Sequence, residues 1–344
     1  MDMNGKRRIL NTLEMEKCDR VPVFPCAHYF TAAVAGMSIR TFSTDGNKMA
    51  SALLRGLERF GWDGLNPGSD VAVEGEALGS KLAFEEQTPP YVVKAGLANP
   101  DDLARVRVPN PLKDGRMPVV IRATELVIRE VGNEVYVMPV IMGPLNCSSQ
   151  FRGVEDLMMD IVERPEFVER LLDFSTDVVL EYGKALVDAG AHGILIGEAL
   201  CTPGMISPPT YRSIVPRQRR LAESLRRHGA RHVLLHICGN VRRILPIMVE
   251  AAADIFDLDW QMDLAEAKRT CAAAGITIRG NLDPAAVLHN GTPEEVYRKS
   301  VEAVKAAGAG GGFILGSGCD VASETPYENL DAMIAAAKET SAAA

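Results

Sequence analysis

The sequence predicts a single (β/α)8 barrel over residues 1–344, with a hairpin inserted near residues 71–95. Three observations predict it. Short β-branched or apolar runs alternate with amphipathic helical stretches along almost the whole chain, the order that builds a parallel sheet covered by helices. Eight strand runs can be picked out, enough to close a barrel. The same rhythm carries through 344 residues, and such barrels routinely exceed the roughly 100–200 residues of an average domain. A doubly wound open sheet is the runner-up.

The first strand is read at Val21-Pro22-Val23-Phe24, followed by a helix over 48–60 with Met49, Leu53, Leu57 and Phe60 on one face. Gly61-Trp62-Asp63-Gly64-Leu65-Asn66 stops that helix and begins strand two. Residues 81–85 and 91–94, separated by Thr88-Pro89-Pro90, make the hairpin. A helix over 117–131 leads to strand three at 135–141, and helices over 154–162 and 166–188 lead to strand four at 193–196. Helices over 209–227, 241–252, 263–274 and 293–307 then precede strands at 232–236, 255–258, 276–280 and 312–316. A helix over 326–339 ends the pattern before an alanine-rich tail. The glycine-rich stretch at 308–312 precedes a strand rather than linking strand to helix, so it reads as a helix stop and not a phosphate loop.

Hydrophobic residues make up 47% and charged residues 24%, which excludes wholesale disorder. A net charge of −8 with no localised basic patch disfavours nucleic acid and anionic membranes as partners. No run reaches the roughly 18 apolar residues of a membrane helix. The basic start Lys6-Arg7-Arg8 lacks the apolar segment of a signal peptide. The cysteines are seven, odd in number and dispersed, as expected of free thiols in a reducing cytoplasm. A cytoplasmic enzyme is the expectation.

In such a barrel the functional groups sit at the carboxyl ends of the strands. Those ends carry, in turn, Cys26 and His28, Asn66 and Asp70, Cys147, Glu198, His236 and Cys238, Asp259, Asn281 and Asp283, and Cys319 and Asp320. The sharpest pattern is His236-Ile237-Cys238-Gly239-Asn240. Residues two apart on an extended segment point the same way, so imidazole and thiol can converge on one ion, and Gly239 lets the backbone turn away. Cys319, in Gly316-Ser317-Gly318-Cys319-Asp320, reaches the same mouth from strand eight. One imidazole and two thiolates make a soft donor set suited to Zn2+, with a fourth position open. The residues alone leave a second reading, in which the cysteines simply pack as small buried groups. Glu198, in Ile196-Gly197-Glu198-Ala199, reads as a fourth ligand, a general base or a substrate partner, or else as a carboxylate capping its loop. Cys26 and His28 have no further partner at ligand spacing and read as pocket lining. Glu74 and Glu76 either reach the mouth or begin a helix, where the dipole favours anions.

The set Leu235-His236-Ile237-Cys238-Gly239-Asn240, Gly316-Ser317-Gly318-Cys319 and Val73-Glu74-Gly75-Glu76-Ala77-Leu78-Gly79 resembles the uroporphyrinogen decarboxylase superfamily. Gly197-Glu198-Ala199, Ile206-Ser207-Pro208 and Gly280-Asn281-Leu282-Asp283-Pro284 add to the likeness. Within the superfamily the chain is most similar to the zinc-dependent corrinoid methyltransferases, the methylcobamide:coenzyme M methyltransferases and their relatives. The resemblance implies one zinc on His236, Cys238 and Cys319, and methyl transfer between a corrinoid (methylcobalamin) and a thiol that the zinc activates. It implies too that the corrinoid arrives on a separate protein, since no Asp-x-His-x-x-Gly signature occurs here. The decarboxylases hold a polycarboxylate with arginines after the first strand. Here Phe24-Pro25-Cys26-Ala27-His28-Tyr29-Phe30 has none, and none follows before Arg40, which disfavours decarboxylation. Two other readings remain beside the leading one: a demethylase that loads the corrinoid from another methyl donor, and a docking partner of the corrinoid protein with a structural zinc.

Overall fold

In the computed structural model, which describes residues 3–341, the strand runs close into a parallel barrel. Part of the alanine-rich tail lies outside the described residues. Six strands pair in the order Val140–Met142, Gly193–Gly197, His232–Ile237, Ile255–Leu258, Thr277–Leu282 and Phe313–Ser317. Gly64–Leu65 pairs in parallel with Tyr136–Val137, whose chain runs on through Pro139 into Val140–Met142. A bridge from Val23 to Leu315 closes the ring: Phe24 N–H donates to the Leu315 carbonyl, and Asp63 N–H to that of Val23. Among the described residues no helix is long and apolar enough to cross a membrane.

Several elements differ from the expectation, each for a local reason. The first strand is one bridge rather than a run, because Pro22 and Pro25 on either side of it have no N–H for a ladder. Pro139 splits strand three in the same way. The helix expected over 241–252 shrinks to Leu245–Met248 and a 3-10 turn, Val249–Ala251. Pro246 would collide with the carbonyl four residues earlier, so a helix cannot run through from 241. Helices Gly5–Leu13, His28–Val34, Ile39–Thr44 and Pro144–Arg152 were not anticipated. Pro144–Arg152 is buried on nearly every side and so carries no apolar stripe to read. The hairpin pairs Lys81–Ala83 with Tyr91–Lys94, antiparallel, and follows a short helix, Val73–Ala77, at the glutamates.

The strand side chains divide between two apolar layers. Ile194, Ile196, Val233, Leu235, Phe256, Ile278 and Phe313 pack outward against the helices. Phe24, Tyr136, Met138, Leu195, Leu234, Ile255 and Ile314 form a separate cluster inside the ring. Ile9 of the N-terminal helix completes the inner cluster, with Leu10 and Leu13 beside it, and plugs the barrel from below. Above this apolar plug the next inward positions are polar.

Candidate metal centre

The two-residue period of a strand sets the layer above the plug. His236 stands two residues beyond Leu234 and Asp257 two beyond Ile255, so both face inward. His236 is the register partner of Asp257, and Asp257 of Arg279, on three adjacent strands. Arg279 is fully buried and donates from Nε to Asp257 Oδ1 at 2.6 Å and from Nη2 to Oδ2 at 2.8 Å. Its Nη1 donates to Asn66 Oδ1 at 3.2 Å. Burial alone would raise the Asp257 carboxyl, but the Arg279 guanidinium, and then His236, hold it down at about 2.

His236 Nδ1 lies 2.9 Å from Asp257 Oδ2, a contact bent away from hydrogen-bond geometry, while Nε2 faces Cys238 Sγ at 3.1 Å. Burial opposes charge on this imidazole, yet Asp257 and the two neighbouring thiols outweigh it and raise its pKa well above the ordinary value. Cys319 completes the group, and the donor atoms of His236, Cys238 and Cys319 all lie within 4.8 Å of one another. The contact with Cys238 pushes the Cys319 thiol down to about 5, against burial and with help from His236, while the same contact pushes Cys238 up. One imidazole and two sulfurs within reach of a common point make the soft donor set that zinc takes.

Loop geometry brings these donors together. Gly239 turns with φ at 81°, and its N–H donates to Asp259 Oδ2 at 2.9 Å. Gly318 N–H donates to the Leu282 carbonyl at 2.7 Å, and a Cβ there would stand 2.6 Å from the Trp260 backbone nitrogen. Only glycine lets the Cys319 loop approach so closely.

Glu198 follows Gly193–Gly197 on the same rim, and its N–H donates to the His236 carbonyl at 2.8 Å. Its carboxylate is fully buried and turned into the N-terminus of Pro144–Arg152, accepting from Leu145 N–H at 3.2 Å and Asn146 N–H at 3.1 Å. Burial, partly offset by those amides, pushes its pKa up to about 7. Of the roles the sequence allows, this arrangement displays the cap; the carboxylate is not in the three-donor group. Cys147 is buried within that same helix. Glu74 is buried and accepts from Met142 N–H, and Asp283 caps Ala285 and Ala286. Asn281 holds the carbonyls of Asp259 and Met262. The expectation that Cys26 and His28 lack a further partner is corrected: Asp320 supplies one, with Oδ1 3.4 Å from His28 Nδ1. Asp257 and Arg279 were missed. Their signal is a charged residue inside an apolar strand run, in Phe256-Asp257-Leu258 and Ile278-Arg279-Gly280.

The uroporphyrinogen decarboxylase (URO-D) family model matches residues 4–340. The chain belongs to that family. It is 30% identical to a methylated-thiol–coenzyme M methyltransferase of Methanosarcina mazei, over 98% of this chain and 90% of that protein. It is 29% identical to a methylcobamide:CoM methyltransferase of the same organism, over 97% of each. A uroporphyrinogen decarboxylase of Pelobacter propionicus is 27% identical over 94% of this chain and 97% of its own. Among solved structures, a methyltransferase from Methanosarcina mazei superposes with a TM-score of 0.89 at 27% identity, covering 98% of this chain and 99% of that one. These relatives make the chain an enzyme of the methyltransferase class within the URO-D family.

Proposed function

We propose that the chain moves a methyl group between a corrinoid carried on a separate protein and a small thiol such as coenzyme M, with Zn2+ held by His236, Cys238 and Cys319. The observation that carries this reading is the convergence of one imidazole and two thiols at the barrel mouth, backed by a buried carboxylate–guanidinium pair. The names of the relatives, methylcobamide:CoM and methylated-thiol–coenzyme M methyltransferase, supply the substrate classes. A zinc ion bound there supplies Lewis acidity that favours the thiolate form of a coordinating thiol.

The chain's own residues do the rest. Asp257, kept ionised by Arg279, places its charge 2.9 Å from His236 Nδ1, which favours the proton on that nitrogen and leaves Nε2 as the donor. Cys238 and Cys319 are half-buried rather than fully enclosed. Glu198 acts as a positioning residue: its carboxylate fixes the start of Pro144–Arg152 against the rim through Leu145 and Asn146 N–H. In the transfer, methyl passes from cobalt to sulfur, the Co–C electron pair stays on cobalt, and the thiol proton goes to solvent. Decarboxylation is disfavoured because Cys26 and His28 occupy the region where an arginine clamp would stand.

The test is demethylation of methylcobalamin across a panel of thiols, followed by its visible spectrum, alongside metal analysis. Wild-type protein should turn over at least one thiol. Cys238→Ala should lose one zinc equivalent and more activity than the roughly 10–100-fold that removing a supporting partner costs. Glu198→Gln should lower the rate within that range, with KM for the thiol unchanged. No turnover with any thiol, or full zinc and rate in Cys238→Ala, overturns the reading.

A further inference from the structure

We propose that Cys26, His28 and Asp320 form a second metal site in the barrel mouth, of a kind that takes zinc or a similar borderline-soft divalent cation. Their donor atoms all lie within 4.8 Å of one another. Cys26 Sγ stands 3.6 Å from His28 Nδ1, and Asp320 Oδ1 stands 3.4 Å from that same nitrogen. Zinc bonds of about 2.3 Å to sulfur, about 2.05 Å to nitrogen and about 2.1 Å to oxygen, opened to the tetrahedral angle, give edges of about 3.6 Å for S···N and about 3.4 Å for N···O. The observed separations are those edges.

A shared hydrogen bond and a nucleophilic triad both fit these positions less well. One ring nitrogen holds at most one proton, so Nδ1 cannot donate to both the thiolate and the carboxylate, and 3.4 Å is long for such a bond. A triad would need thiol and carboxylate on opposite nitrogens. Here both face Nδ1, and the buried Nε2 has no hydrogen-bond partner.

The site is also built rather than incidental. His28 is only 6% exposed, which fixes its ring. His28 N–H donates to Asp320 Oδ1 at 3.2 Å, Cys26 N–H to Ser317 Oγ at 3.1 Å, and Val321 N–H to the Cys26 carbonyl at 2.7 Å. These bonds lock the end of the first strand to the end of the eighth. Asp320 directly follows Cys319, so their Cα atoms are about 3.8 Å apart and one peptide unit joins the two centres. The fourth position at the second centre is left for water or an anionic group of a substrate.

Chelator-stripped protein titrated with Zn2+ alone, and then with Co2+ as an optical probe, tests this. Wild type should bind about two equivalents. Cys238→Ala/Cys319→Ala should keep about one, with a sulfur-to-cobalt charge-transfer band that disappears when Cys26→Ser is added. Cys26→Ala/His28→Ala should also keep about one. In the Cys238→Ala/Cys319→Ala background, Asp320→Asn preserves shape and should weaken the remaining equivalent at least about 10-fold. Circular dichroism of each metal-free variant verifies folding. A single equivalent in wild type that Cys26→Ala/His28→Ala retains, or a Cys238→Ala/Cys319→Ala variant that is folded and binds no cobalt through sulfur, overturns the second site. Loss of the first centre alone leaves the sulfur–cobalt band in that variant, so the two readings fail separately.

Discussion

His236 is governed by the nitrogen that faces away from the cysteines. Nδ1 lies 2.9 Å from Asp257, whose charge Arg279 holds through two hydrogen bonds in a site closed to water. A neutral asparagine at 257 would keep the shape but strand the Arg279 charge. Removing one partner of a buried pair costs about 3–5 kcal/mol. Asp257→Asn should therefore lose about that much in urea unfolding of metal-free protein, and lose roughly 10–100-fold in zinc affinity by chelator competition. Unchanged affinity would show that the carboxylate does not orient the ring. The three donors could be found from residue type alone, because Cys and His at strand ends are conspicuous. Asp257 and Arg279 could not, since a charge within a strand becomes meaningful only once its parity with His236 is known.

Between elements, the buried carboxylates act as struts. Glu74 ties the short helix Val73–Ala77 to Val140–Met142, accepting from Met142 N–H at 2.8 Å, and burial pushes its pKa from 4.5 up to about 7. The unfolded chain gives up this proton near 4.5 and the folded chain near 7. In that window the folded state binds more protons, so stability falls as pH rises. The contribution is fully present below about 4.5 and lost by about 7, in total about 3 kcal/mol. Glu74→Gln keeps the acceptor oxygen and cannot titrate. Its stability relative to wild type should grow between pH 5 and pH 7 in urea unfolding, and a constant difference would count against the shifted carboxyl. Helices with an exposed polar face, such as Met117–Val131 and Pro293–Ala307, were legible to the residue. Pro144–Arg152, which Glu198 caps, was not, because burial on all sides removes the period.

For the molecule as a whole, alternation of strand and helix pointed to a parallel sheet covered by helices, which a barrel or a doubly wound open sheet both satisfy, and the Val23–Leu315 bridge closes the ring. What sits under the barrel was not legible. The N-terminal helix Gly5–Leu13 looks strongly charged in sequence, yet it turns Ile9, 1% exposed, into the inner cluster beside Phe24, Leu195, Leu234, Ile255 and Ile314. Stability and chemistry are thus placed at opposite ends of one axis: an apolar plug below, and His236, Asp257 and Arg279 one layer above. The two ends should separate under mutation. Ile9→Ala empties part of the plug and should cost about 2–5 kcal/mol in urea unfolding. Because Ile9 lies in the inner cluster, one layer below the donors, the metal content and chelator-competition constant of the folded fraction should match wild type. Cys238→Ala should do the reverse, losing metal while the metal-free protein unfolds at the wild-type urea midpoint. Parallel loss of metal and stability in Ile9→Ala would mean that the plug and the mouth are one coupled unit, and that the layered barrel does not insulate its chemistry from its base.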